Sequence, residues 1–288
     1  MPAAAIALVL TAAMMHVAWN ALTKRAKDPL LFLWSAMAIS AGGTAIVALA
    51  RGSDGFSDPR NVLLAAASAV VHAVYFVTLT GAYRNGDFSV VYPIARGLGV
   101  ALVPFGAAFA FGELPSAGGA VGVALVVVGI VLVGRTASAL GPTNRPASRR
   151  RVGIAFAIAT GMLIAVYSLV DRTGARAMDP VAYVSVSNLG AVLLLAPFVA
   201  RRIPAVRAEW RANHRTILVA SALSVTGYLL VLFAFGLTKT SYVVAAREIS
   251  IALSTVLGSR LLGEGNLRLR LAGACVVLGG VALIALGG

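Results

Sequence analysis

Apolar residues run along this chain in blocks of about twenty, broken by short clusters of charge, glycine and proline. A bilayer core about 30 Å thick needs roughly 20 apolar residues of helix. Ten blocks approach that length, at residues 3–22, 30–50, 61–83, 89–111, 116–134, 152–171, 180–200, 216–236, 242–262 and a shorter 271–286. The pattern predicts an all-α integral membrane protein with ten transmembrane helices. Such spans occupy most of the 288 residues. Short connections remain, with no room for a soluble catalytic domain, so the function is expected inside the membrane.

Composition agrees. The chain is 59% hydrophobic and 12% charged, about half the roughly 25% charge of a soluble domain, and its mean hydropathy is +0.91. A net charge of +14 suits a nucleic-acid binder only as an exposed patch; on so apolar a chain it reads as topology, and no nucleic-acid partner is expected. Loops alternate between two faces. One face carries 17 of the 24 cations, including Lys24, Arg25, Lys27, Arg84, Arg149 to Arg151, Arg201 and Arg202. The other carries five, Arg51, Arg60, Arg172, Arg176 and Lys239, while Arg96 and Arg247 fall inside spans. Basic loops stay cytoplasmic, so a multi-pass inner-membrane protein with both termini outside is expected. A phosphatase fused to the C-terminus should be active and a fluorescent protein dark; the reverse pattern overturns this orientation. Anionic headgroups are the expected partners of the basic face. Asp171, at the end of the sixth block, reads as a solvated charge of the other face.

Two further classes fall away. The single cysteine, Cys275, excludes a disulfide scaffold and a cysteine-based metal site. The first block begins at Pro2 without a basic leader, so it reads as a retained span rather than a cleaved signal.

Sliding the chain on itself by 151 residues superposes Asp28-Pro29 on Asp179-Pro180, Arg51 on Arg202, Arg60 on Arg211 and Arg96 on Arg247. The same shift places Gly112-Glu113 on Gly263-Glu264, Gly122 on Gly273 and Gly129 on Gly280. The halves read as duplicates: repeat one over 1–134, a basic cytoplasmic linker over 135–151, repeat two over 152–288. Five spans per copy is an odd number, so the second copy enters the membrane inverted, as in many secondary transporters. Asp-Pro before spans 2 and 7 reads as a helix start, and the paired glycines as close helix packing. Glu113 and Glu264 close spans 4 and 9 as solvated charges or caps.

The stretches Ser89 to Leu132 and Ser241 to Leu283, each with an intramembrane arginine, a closing Gly-Glu and a glycine-rich span behind it, resemble the two copies of the EamA domain of the drug/metabolite transporter superfamily. The resemblance covers essentially the whole chain. It implies a cofactor-free secondary carrier, mostly an exporter of amino acids, other metabolites or drugs, with a cavity lined chiefly by spans 1, 3, 4, 6, 8 and 9. It does not name a substrate.

The polar residues inside spans supply the candidate site. An arginine at mid-span costs at least about 2.5–3.5 kcal/mol on insertion scales. Arg96 and Arg247 therefore read either as a cationic floor for an oxyanion or as structural ion pairs, with Glu248 or with carbonyls of a broken helix. Glu248 is a charge-pairing or proton-coupling carboxylate in this reading. Ser250 and Ser254 continue the face of Arg247. Pro93 and Pro104 are expected to break span 4, with Tyr92 one turn from Arg96. His16, Trp19 and Asn20 share a face of span 1, His72 and Tyr75 one of span 3, Tyr167 and Asp171 one of span 6, and Ser221, Ser224 and Tyr228 line span 8. Trp19, Asn20, Tyr75 and Tyr228 are candidate substrate contacts. His16 and His72 are proton carriers or neutral histidines bonded to a neighbouring helix.

An exporter of an amino acid or organic anion, working by alternating access, is the leading function. A lipid-linked flippase is the second reading and would show a laterally open groove. An intramembrane enzyme is disfavoured, because no GxSxG, HExxH or paired-carboxylate pattern occurs, and neither cofactor nor metal is expected. The duplication supplies both halves of a carrier in a monomer; nothing in the sequence demands or forbids a homodimer.

Overall fold

Asp28 and Asp179 each turn the chain into a helix in the same way: the carboxylate accepts the first free backbone N–H groups (Leu30 and Leu31; Val181 and Ala182) and proline takes the first helical position. The computed structural model describes residues 1–52, 58–86, 88–138, 146–250 and 267–287. These residues form helices and turns, with no strand among them. The helices are α1 (Ala3–Lys24), α2 (Pro29–Ala50), α3 (Pro59–Asn85), α4 (Phe88–Phe111), α5 (Ala117–Ser138), α6 (Ala147–Ala177), α7 (Pro180–Ala200), α8 (Ile203–Leu237), α9 (Thr240–Arg247) and α10 (Leu267–Gly287). Seven of them, α1 to α4 and α6 to α8, are long and apolar enough to cross a membrane. Shorter apolar stretches lie at 117–132 and 275–284. Large side chains on the outside are apolar; Phe109 is 96% exposed and Phe105 and Phe198 are exposed too, a surface that suits hydrocarbon rather than water.

The helices differ from the apolar pattern in three places. The helix of the sixth block begins early, at Ala147, so that Arg149 to Arg151 stand exposed on its first turns. α8 begins at Ile203 and kinks at Asn213, whose backbone is non-helical (φ −131°, ψ 18°); the basic segment before the kink is a separate helical piece. α4 runs unbroken through Pro93 and Pro104, which corrects the expected helix break. Each proline removes one hydrogen bond, and packing on α5 and α6 holds the helix through the gap. The helix ends instead at Arg247, where Glu248 forms a turn. The rest of the expected ninth span, with Ser254, lies outside the described residues, as does Glu264 beyond it.

Helices pack in a regular scheme: α3 against α6 and α7, α1 and α2 against α8, α4 against α5 and α6, α2 against α7, and α5 against α10. The last contact is glycine on backbone. A Cβ on Gly122 would sit 2.8 Å from the Gly280 carbonyl, and one on Gly129 would sit 2.9 Å from the Gly273 carbonyl. The two helices therefore run antiparallel at close range, as small-residue crossings in membranes do.

Candidate functional site

Seven helices enclose a cavity of about 100 Å³, room for several waters at roughly 10–15 Å³ each by the same measure. α1 contributes His16 and Trp19, α2 Met37 and Ser40, α3 His72, Tyr75 and Phe76, α6 Tyr167, α7 Asn188, α8 Ser224 and Tyr228, and α9 Arg247. The walls are aromatic. His16 meets Trp19 edge-on at 4.9 Å, and Tyr167 stacks on His72 at 4.8 Å.

The two intramembrane arginines part company here. Arg96 donates from Nε to Glu248 Oε2 at 2.8 Å, and its Nη2 lies 2.6 Å from Oε1. That ion pair is buried, Arg96 being 3% and Glu248 1% exposed. Arg247 instead reaches the cavity wall. Its Nη2 donates to the Tyr167 hydroxyl at 3.3 Å, and its Nε stands 3.9 Å from Glu248 Oε1 with no hydrogen-bond partner among the described residues. Since Arg96 occupies Glu248 at both oxygens, Arg247 keeps most of its donor capacity. The short helix α9 places it there: the chain leaves the helix at Glu248, whose N–H bonds back to Ala245 at 3.0 Å.

Asp171 is corrected by the structure. It is fully buried, not solvated, because three other helices close over it. Its Oδ1 accepts from Ser68 Oγ of α3 at 2.5 Å and from the Tyr183 hydroxyl of α7 at 2.7 Å, and its Oδ2 accepts from the Tyr228 hydroxyl of α8. His72 Nε2 lies 3.8 Å from Oδ2.

Of the remaining candidates, His16, Trp19, His72, Tyr75 and Tyr228 all line the cavity. Asn20 does not; its amide caps the His16 carbonyl at 2.8 Å. Ser250 is buried, with its hydroxyl unpartnered among the described residues. The Tyr92 and Pro93 side chains lie outside the described residues, and Pro104 sits half-buried in α4 away from the cavity. Tyr167, absent from the expected contacts, is central. Its one-turn spacing to Asp171 was the available signal, and a lone tyrosine on an apolar helix does not show which partner it meets.

Each end of the molecule carries its own polar network. At one end Asp28 accepts from Arg84 at 2.9 Å and Arg202 at 2.6 Å, and its N–H donates to Glu209 at 3.0 Å. Burial acts to raise the Asp28 carboxyl, but the Arg202 hydrogen bond, the Arg84 charge and the Leu31 N–H together hold it below its ordinary value. At the other end Glu113 pairs with Arg172 and accepts the Thr240 N–H at 2.9 Å, while the Tyr242 hydroxyl accepts the Ser116 N–H at 2.8 Å. The cavity lies between these ends.

Residues 151–286 match the EamA-like transporter family. A crystal structure of another protein superposes on 99% of this chain and 98% of its own at a TM-score of 0.73 and 19% identity, a likeness of fold alone. Comparison with curated proteins gives no match. The family match over the second half of the chain, together with the apolar helices, supports an EamA-domain transporter of the drug/metabolite transporter superfamily.

Proposed function

We propose that this chain is a secondary-active carrier of a small amphipathic anion, such as an amino acid or other carboxylate, that exports it across the inner membrane by alternating access between two inverted five-helix repeats. The observation that carries the reading is Arg247: a buried guanidinium on an aromatic cavity wall, with donors left over after Glu248 has been taken by Arg96. A carboxylate fits those donors in a paired geometry, and the aromatic walls suit an apolar body. The helix pairing supports the repeat. Advancing every helix by five turns the α3–α6 contact into α8–α1 and α3–α7 into α8–α2, and maps α2–α7 and α5–α10 onto themselves. The two end networks are then the closures that open in turn.

Counterflow in proteoliposomes with a panel of labelled amino acids and organic anions tests this. Losing charge-assisted hydrogen bonds worth about 1.5–3 kcal/mol makes Arg247→Ala weaken apparent affinity roughly ten- to a hundredfold. Arg247→Lys retains the charge without the paired donors and falls between. An Arg247→Ala protein that inserts normally and transports like the wild type sinks the proposal.

One observation favours a lipid-linked substrate as a second reading. A groove between α2, α7 and α8 runs from Arg51 to Ser40 and Val225, two residues that also line the cavity. Headgroup translocation of a fluorescent lipid in vesicles, blocked by Arg247→Ala, would select this reading over the soluble anion.

A further inference from the structure

Anion binding at Arg247 leaves a titratable pair unused, His72 on the cavity wall and the fully buried Asp171 behind it. His72 Nδ1 lies 3.0 Å from the Ser68 carbonyl oxygen. A carbonyl only accepts, and the Ser68 hydroxyl, 3.1 Å from the same nitrogen, spends its hydrogen on Asp171 Oδ1, so the geometry assigns the hydrogen to Nδ1, and in a neutral ring Nε2 is then a lone pair. That lone pair faces Asp171 Oδ2 at 3.8 Å. An acceptor thus faces an acceptor, with space for one proton between them. The Asp171 carboxylate has no guanidinium or ammonium within ion-pair distance among the described residues; its partners are the Ser68, Tyr183 and Tyr228 hydroxyls. One added proton takes the pair from −1 to neutral.

We infer that His72 and Asp171 form the site that binds one coupling proton in each transport cycle. The inference rests on the carrier reading above and assigns that carrier its driving ion. His72 lines the cavity, so a proton from cavity water reaches Nε2 first and passes to Oδ2. Ionised Asp171 only accepts; once Oδ2 carries hydrogen it becomes a donor, and the Tyr228 hydroxyl, which accepts as well as donates, must turn its own hydrogen to another partner. The bonding across the α6–α8 joint, one that a rocking motion needs, thus changes with the proton. The groups facing the site are Ser68 and Tyr75 of α3, Tyr167 of α6, Tyr183 of α7 and Tyr228 of α8. The nearest cation of the cavity, Arg247 of α9, reaches the site only through the Tyr167 hydroxyl, and His16 of α1 lies on the same cavity. Arg172, next in the chain, is turned to Glu113. Tyr167 touches both Arg247 and His72, so the bound anion and the bound proton share one aromatic partner.

Infrared difference titration of the full chain in lipid vesicles, with pH as the only variable, reads the site without any substrate. The wild type is expected to show a protonated-carboxyl band that forms and vanishes reversibly, and that Asp171→Asn removes. His72→Gln, which leaves Asp171 and its three hydroxyl partners in place, is expected to displace the proton concentration of half-formation by about tenfold. The His72→Gln arm decides alone if Asp171→Asn fails to fold. A band that survives Asp171→Asn, a His72→Gln titration identical to wild type, or a site that answers to sodium at fixed pH and not to protons overturns the inference. Wild-type counterflow separates the two proposals: if the chain is not an anion carrier it is absent, while the titration remains.

Discussion

Glu248→Gln is expected to destabilise the folded chain by on the order of 3–5 kcal/mol, the loss typical when one partner of a buried ion pair is removed. The reason is Arg96. It is 3% exposed and lies against Glu248 through two short contacts, so a neutral amide removes the carboxylate charge that this guanidinium meets in a low-dielectric interior. Restoring balance should restore stability: in the double variant Arg96→Met, Glu248→Leu the charge is gone from both sides, and most of the loss is expected to be recovered. Thermal unfolding of the three proteins in one detergent measures this. A single variant as stable as wild type, or a double variant no better than the single, would show that Arg96 is balanced by something else. Arg247→Met gives the contrast. Its Nε has no hydrogen-bond partner among the described residues and its carboxylate contact is 3.9 Å, so its removal should affect transport far more than stability.

That asymmetry between two repeat-related arginines was half legible. The 151-residue shift aligns Arg96 with Arg247 but sets Gly97 against Glu248, so only the second copy has a carboxylate beside its arginine. The structure adds why the first copy has none: a Cβ on Gly97 would already sit 3.3 Å from Ile130, leaving little room for a longer side chain. Helix positions were readable because a twenty-residue apolar block is a local property. Asp171 was not, since the residues that bury it, Ser68, Tyr183 and Tyr228, come from three other helices and no window of sequence contains them. The prolines of α4 misled for a related reason. Proline weakens a helix locally, whereas continuity through Pro93 and Pro104 is decided by the helices packed around α4.

The α5–α10 crossing carries the second large effect. A Cβ added to Gly280 would lie 2.7 Å from the Gly122 carbonyl oxygen and 2.9 Å from the Val126 amide nitrogen. Both obstacles are backbone, which cannot rotate away, so the helices must separate. Overpacking of this kind costs about 1–3 kcal/mol, and Gly280→Val, which adds two further methyl groups at the contact, is expected at the upper end. Gly279 is the internal control. It is the preceding residue of the same helix, is exposed, and a Cβ added to it would meet nothing within 4 Å. Both substitutions remove a glycine from the same helix and add the same β-branched side chain, so backbone propensity cancels between them. The difference in unfolding temperature between Gly280→Val and Gly279→Val therefore reads the crossing alone, and equal temperatures would mean that α5 and α10 do not depend on backbone contact. The consequence extends to the site. α5 also packs on α4, which carries Arg96, and α10 touches α9, which carries Arg247. Widening the crossing shifts the supports of both arginines, so Gly280→Val should lower transport even in the fraction of protein that remains folded, while Gly279→Val leaves it unchanged.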